Sequence, residues 1–268
     1  MKYSIITINF NNCDGLRKTI ESVVNQTFQD FEYIIIDGGS TDGSVEVIKE
    51  YADKIDYWVS EPDNGVYSAM NKGIIKAKGE YINFLNSGDY FNNTNVLADI
   101  APIITADIGV GYYYKGNNKN ILFYPYEDAT FFHLYRGTFN HQASFFKRTL
   151  FEKTLYRENL KIVSDWEFYL RKLIFENCSF QTLYVCVVNF DDTGISNTLL
   201  ETNKQEREHI LAELVPQRIR NDYDKLLNID YELWDLLPQI PKNRRLQHIL
   251  CIIIKISIFL GKILGIKK

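Results

Sequence analysis

Across residues 3–85, short β-branched and aromatic runs alternate with stretches of helical periodicity, and nothing else in the chain restricts its fold as much. Strands are expected at 3–9, 32–37, 56–60 and 80–85, with helices starting near 15 and 44 and a third over 65–77. That third helix is the clearest: Val66, Ala69, Met70, Gly73, Ile74 and Ala77 recur at i, i+3, i+4 and i+7, and Gly79 supplies its stop. Strands interleaved with helices in this way build βαβ units and a mostly parallel, Rossmann-like α/β sheet. Past Asp89 the runs become shorter and more aromatic, at 108–114, 120–125 and 143–147, before a helix from about 165 and a strand near 180–188. They predict a second, mixed sheet region that receives the other substrate. A helical stretch over 200–237 follows, punctuated by Pro238 and Pro241.

Composition narrows the function classes. Cys13, Cys178, Cys186 and Cys251 are far apart and show no C-x-x-C spacing, so they suggest neither a zinc cluster nor a disulfide framework and suit a reducing, cytoplasmic setting. The opening MKYSIITINF is too short and polar for a signal-peptide core and reads as the first strand. Net charge is −4, yet residues 242–268 carry seven Lys or Arg and no acid. The acidic body argues against a nucleic-acid partner. The basic, apolar tail predicts an amphipathic helix on a membrane surface, with His248, Lys255 and Lys262 forming one stripe. Burying Lys255 at the centre of a spanning helix would cost about 2.5 to 3.5 kcal/mol, a cost that an interfacial helix does not meet. A helix packed on the protein's own core or on a dimer partner has the same apolar pattern. Aromatic residues make up 14% of the chain, many of them between 112 and 146. An aromatic-lined groove and a tyrosine-rich sheet both account for them.

Three sets of polar residues stand where chemistry could occur. The second expected strand ends in Asp37, followed by Gly38, Gly39, Ser40, Thr41, Asp42 and Gly43. An acid at a strand tip backed by glycines can meet a ribose or base while the backbone approaches the ligand; a Gly-rich turn with a helix cap fits the same residues. Asp89 follows the strand YINFL and the turn residues Asn86, Ser87 and Gly88, at the sheet edge where α/β proteins bind ligands, although a turn cap would use it equally. In IVSDWEFYL, Ser164 and Glu167 form a capping-box pattern, which would make Asp165 an acid favoured by the helix dipole.

The segments SIITINFNNCDGLRKTIESVVNQTF, YIIIDGGSTDGS, SEPDNGVYSAMNKGI and AKGEYINFLNSGD stand in that order. Together they resemble the nucleotide-binding half of the family 2 glycosyltransferases of GT-A fold, most of all the bacterial cell-surface polysaccharide branch. The resemblance implies that Asp89 is the last position of an acidic motif that often reads D-x-D-D, where it binds Mn²⁺ or Mg²⁺ on a nucleotide diphosphate. In this chain Asn86, Ser87 and Gly88 fill the first three positions. By the same likeness Asp37 and the backbone around Thr7, Ile8 and Asn9 hold the nucleoside, and Asn71 and Lys72 approach the sugar diphosphate. Ser68 stands where close relatives carry Asp. Ser164-Asp165 matches a catalytic [ED]-D pair without its first acid, so Asp165 is the expected base and Glu167 the alternative. His141 and Gln142 resemble a His-Gln pair that shapes the donor and acceptor pocket, and Gly194 and Ser196 of DDTGIS resemble a loop over the diphosphate.

The resemblance implies an inverting, metal-dependent hexosyl- or N-acetylhexosaminyl-transferase. It would move a sugar from a nucleotide-sugar, a UDP-sugar in the first place, to a hydroxyl of a glycan or lipid-linked acceptor, peripheral on the inner face of the cell membrane. Residues 1–98 would form the nucleotide-sugar half and 99–198 the acceptor and base half of one GT-A domain, with a helical extension at 199–241 and the tail at 242–268. The missing acids also fit an inactive sugar-nucleotide-binding or scaffold protein of the same fold. A nucleotidyltransferase would need a Gly-rich basic loop after the first strand, where this chain has NFNNCDG.

Overall fold

The computed structural model describes residues 1–116, 122–191, 199–227 and 244–263. The alternating segment becomes β1 (Tyr3–Asn9), α1 (Cys13–Val24), β2 (Phe31–Asp37), α2 (Ser44–Glu50), β3 (Tyr57–Ser60), α3 (Val66–Lys76) and β4 (Tyr81–Phe84). Strand β1 pairs in parallel with β2 on one side and β4 on the other, and β3 lies parallel to β2. The register sets Asn9 opposite Asp37 and Asp37 opposite Ser60, so three strand tips end level with one another. Gly79 does more than stop α3. A Cβ there would stand 2.4 Å from the Tyr3 carbonyl carbon and 2.5 Å from the Ser4 nitrogen, so only glycine lets the chain turn into β4 against the start of β1.

The remaining strands are β5 (Tyr90–Phe91), β6 (Ile108–Lys115), β7 (Leu122–Phe123), β8 (Ser144–Lys147) and β9 (Phe180–Phe190). Between them lie α4 (Val96–Ile100), α5 (Phe131–Arg136) and α6 (Ser164–Tyr169), the last running on as a π-helical stretch, Leu170–Phe175. They do not make a second sheet. Strand β8 pairs antiparallel with both β4 and β6, so the parallel half continues without a break into one nine-stranded sheet, ordered β3-β2-β1-β4-β8-β6-β9-β5 with β7 on β6. The physical reason is the edge of β4: its unpaired backbone groups would otherwise lie open, and β8 satisfies them.

Many of the aromatic residues are core. Phe84, Phe146, Phe151, Tyr156 and Phe168 pack ring against ring between the sheet and α6, with Phe151 and Phe168 stacked at 4.5 Å. Each such ring taken from water contributes roughly 1.5–3 kcal/mol, which fixes α6 firmly on the sheet. The expected capping box is absent. Val163 is the N-cap and makes no side-chain cap bond, while Ser164 lies inside the helix and its Oγ accepts the Arg157 N–H at 2.6 Å. Glu167 is drawn instead into ion pairs with Arg171 and with Arg157. Arg157, seven residues before Ser164 in sequence, competes successfully for both partners of the box.

The compact unit runs from Met1 to Leu214 and so includes α7 (Leu200–Leu214). A second unit, Val215–Lys268, contains α8 (Gln217–Leu227) and α9 (Arg244–Ile263). Helix α9 exposes Ile249, Ile252, Ile253, Ile254 and Ile256. Among the described residues, no helix is long and apolar enough to cross a membrane.

Candidate active site

At the level strand tips, Asp37 acts as a knot. Its Oδ1 accepts from Asn9 Nδ2 at 2.7 Å and Ser40 Oγ at 2.6 Å, and its Oδ2 accepts from Ser60 Oγ at 2.6 Å and the Ser40 N–H at 2.9 Å. Burial pushes the Asp37 carboxyl up, but the bonds from Ser40, Ser60 and Asn9 outweigh it and hold the group below the usual carboxylate range. Asp37 therefore shapes the crevice from beneath, with its lone pairs already used. Thr7 is buried and its hydroxyl donates to the Leu85 carbonyl. The carbonyls of Ile8 and Asn9 accept from Ser87 and Gly38. What the crevice presents at its mouth is Phe10, 67% exposed, beside Gly38 and Asp63. Sequence reasoning missed Phe10; the signal was a large aromatic residue standing in the polar loop after the first strand.

Two further expectations divide. Lys72 sits near the mouth, its Nζ paired with Glu61 Oε1 at 2.7 Å. Asn71 is not brought to the crevice: its buried amide donates to the Tyr156 carbonyl and Glu158 and accepts the Tyr156 N–H, clamping α3 to the loop before α6.

Asp89 lies in a tight turn. Thr19 Oγ1 accepts the Gly88 N–H at 3.0 Å and donates to the Asp89 carbonyl at 2.6 Å. Gly88 has φ +103°, a conformation that favours glycine, and a Cβ there would stand 2.9 Å from Asp191 Oδ2. The Asp89 side chain is 3% exposed and its Oδ1 accepts the Asp191 N–H at 2.8 Å. Burial pushes this carboxyl up to about 7 against the bonds from Asp191 and Gln142 and the neighbouring His141 ring. Asp191 is the second residue that sequence reasoning missed, although it opens the DDTGIS segment. Gly194 and Ser196 lie outside the described residues.

The turn fits a hard divalent cation. Asp89 and Asp191 bring two carboxylates to one place, and Asn86 Oδ1 is buried there with no hydrogen-bond partner among the described residues. Mg²⁺ and Mn²⁺ take such oxygen donors, commonly one or two carboxylates completed by phosphate and water. Among the described residues, no group of three or more His, Cys, Asp or Glu could hold a metal ion. The donor set thus suits an ion that shares its coordination with a ligand.

Next to this turn stands Asp165. Its Oδ2 lies 3.1 Å from His141 Nδ1, and its Oδ1 accepts from the Tyr67 hydroxyl at 2.9 Å. His141 Nε2 lies 3.2 Å from Asn86 Nδ2. With the Asn86 amide donating, the ring proton belongs on Nδ1, where it points at Asp165. Burial pushes Asp165 up, but the bonds from His141 and Tyr67 keep its carboxyl below the usual range. The structure thus joins Asp165 through His141 to Asn86 in the turn after β4, the turn that also carries Asp89, and Gln142 bonds Asp89. Glu167 is apart from them, buried in its arginine pairs.

Helix α7 supports the loop that carries Asp165. Glu206 accepts the Lys161 and Ile162 N–H groups at 2.7 and 3.0 Å, and Arg207 donates to the Leu134 and Gly137 carbonyls at 2.8 Å each. The Arg207 guanidinium also lies 4.2 Å from the Trp166 ring. Nothing in the local sequence pattern marks these two residues.

Known proteins resemble this chain in sequence and in fold. The profile of glycosyl transferase family 2 matches residues 4–173. An uncharacterized glycosyltransferase of Mycobacterium tuberculosis is 34% identical over 210 residues, covering 72% of this chain and 76% of that protein. A PGL/p-HBAD biosynthesis glycosyltransferase of Mycobacterium bovis is 30% identical over 210 residues, covering 74% and 80%. Among solved structures, S. aureus TarS 1–349 in complex with UDP superimposes with a TM-score of 0.61 at 19% identity over 89% of this chain and 78% of that one. In another TarS 1–349 structure the chain spans 60% of the crystallised length. The mannosyltransferase PcManGT from Pyrobaculum calidifontis, in complex with GDP-Man and Mn²⁺, gives 0.59 at 15% identity over 80% of this chain and 64% of that one. At these identities the solved structures bear on fold, and the fold is that of the GT-A glycosyltransferases. Profile, sequence relatives and fold agree: the chain is a glycosyltransferase and belongs to family 2.

Proposed function

We propose that this glycosyltransferase is inverting and moves a hexosyl or N-acetylhexosaminyl group from a UDP-sugar to a hydroxyl of a glycan or lipid-linked oligosaccharide in cell-surface polysaccharide biosynthesis. One observation carries the reading: the ionised Asp165, held by His141 and Tyr67, is tied through Asn86 to the turn that bears the buried Asp89. Asp165 accepts the acceptor hydroxyl's proton as that oxygen attacks the anomeric carbon. Its lowered pKa makes it a weak base, so fixed position must supply much of the effect, and His141 and Tyr67 provide it. A Mn²⁺ or Mg²⁺ ion held by Asp89 with Asp191 beside it would supply counter-charge to the leaving diphosphate. Phe10 offers a flat face for the nucleobase, and Lys72 is placed to exchange Glu61 for a phosphate oxygen. Supporting the donor class are the crystal complexes of TarS with UDP and UDP-GlcNAc.

Helix α9, with its exposed isoleucines and a tail free of acids, lies on the membrane surface at the inner face of the cell membrane, close to a lipid-linked acceptor. A panel of nucleotide-sugars assayed for UDP release, with and without Mn²⁺, tests the whole reading. Release from one UDP-sugar that rises with the ion is expected. UDP binding without release from any donor would instead mark a sugar-nucleotide-binding scaffold of the same fold.

A further inference from the structure

The mixed half of the sheet holds a cavity of about 140 Å³ that none of the groups above enters. Strand β6 contributes Val110, Gly111 and Tyr113, and the segments 123–126 and 138–140 wall it in. The Tyr113 and Phe123 rings are stacked at 5.1 Å, and Tyr124, 66% exposed, stands edge-on to Tyr112 at 4.7 Å. The wall is already formed. Thr182 Oγ1 donates to the Tyr126 carbonyl at 2.8 Å, and the Tyr126 ring lies flat on His133 at 3.9 Å, itself part of a capping box with Thr130 at the start of α5.

Position and chemistry together limit the occupant. Asn140 lines the cavity; its Oδ1 accepts the Ala143 N–H at 2.9 Å, and its neighbour in the chain is His141, the partner of Asp165. Tyr113 of β6 pairs with Val188, which lies on the stretch of β9 that runs on to Asp191. No charged side chain among the described residues lines the cavity, so a diphosphate would find no counter-charge in it. Aromatic faces beside a few amide, hydroxyl and carbonyl groups suit a neutral pyranose, whose C–H face packs on a π-system while its hydroxyls reach the polar rim.

We propose that this cavity is the subsite for one neutral pyranose unit of the acceptor glycan, with Phe123, stacked on Tyr113, as its platform. The proposal rests on the reading of the protein as a transferase whose base is Asp165. Saturation-transfer NMR on the full-length protein tests it, with the methyl glycosides of glucose, galactose, mannose and N-acetylglucosamine as probes and UDP present in excess. At least one glycoside should bind through its ring C–H protons and resist displacement by UDP. Phe123→Tyr should keep its Kd within about threefold, whereas Phe123→Ala should weaken it about tenfold or more. UDP affinity, measured by calorimetry on the same samples, should stay at the wild-type value in both variants. Absent UDP binding would reject the donor reading separately from the subsite. No glycoside bound, displacement by UDP, or an unchanged Kd in Phe123→Ala would overturn the subsite.

Discussion

Asp165 and Glu167 are two residues apart on one helix, yet the structure gives them opposite situations. Asp165 faces His141 and Tyr67 near the turn of Asp89, while Glu167 is buried between two arginines. Asp165→Asn should therefore keep UDP binding and near-normal melting but lower kcat about a hundredfold or more, the loss expected of a general base. Glu167→Gln should do the reverse, lowering the melting temperature because Arg157 and Arg171 lose their charge partner. Thermal melts beside single-turnover kinetics separate the two; transfer that survives in Asp165→Asn and fails in Glu167→Gln would move the base. Asp37 gives a pH prediction. Its folded carboxyl lies below the ordinary value of about 3.9, so the unfolded chain binds the proton more tightly and ionised Asp37 favours the folded state. That stability is present at neutral pH and is lost as pH falls through the lowered value. The melting temperature of Asp37→Asn should lie below wild type at pH 7, and the gap should close in acid. A gap independent of pH would mean that the hydrogen-bond geometry alone, and not the charge, holds the tips together. Asp89, Asp165 and His141 could be proposed from sequence because the resemblance gives their positions a role, whereas Phe10, Tyr67 and Asp191, although they stand in segments with the same likeness, meet the site through contacts with residues distant in sequence.

Elements with strong periodicity were read well and elements governed by tertiary partners were not. Helix α3 was visible from its apolar spacing because packing on β1 and β2 uses that face. The start of α6 was misread, since Ser164 and Glu167 have the spacing of a capping box but Arg157 and Arg171 outbid the helix terminus for both. The support from α7 was invisible, because Glu206 and Arg207 bind backbone groups of 161, 162, 134 and 137, and backbone carries no sequence signal. Helix α9 is the element whose purpose a simple measurement decides. Its exposed isoleucines and basic flanks should bring full-length protein to anionic vesicles, and a chain ending at Pro241 should stay in solution. The interfacial role is wrong if flotation is the same for both, or if it persists unchanged at high salt on neutral lipid.

For the whole molecule, the alternating strands and helices of residues 3–85 sufficed to announce the parallel half and the edge at which a ligand would bind. The mixed half was foreseen as a separate region because its strands are short and their pairing is non-local: β8 joins β4 to β6, and β6 joins β9 across about seventy residues of chain. That continuity matters chemically, since one sheet carries the turn of Asp89, the crevice at the strand tips and the wall of the aromatic cavity on a single rigid frame. The account's central claim is that Asp165 assists one direct displacement across this frame. The anomeric configuration of the transferred sugar, read by proton NMR on the product formed from a UDP-α-sugar, tests that claim most directly. A β-linked product is the predicted result, and an α-linked product, which needs a route with retention, would contradict it.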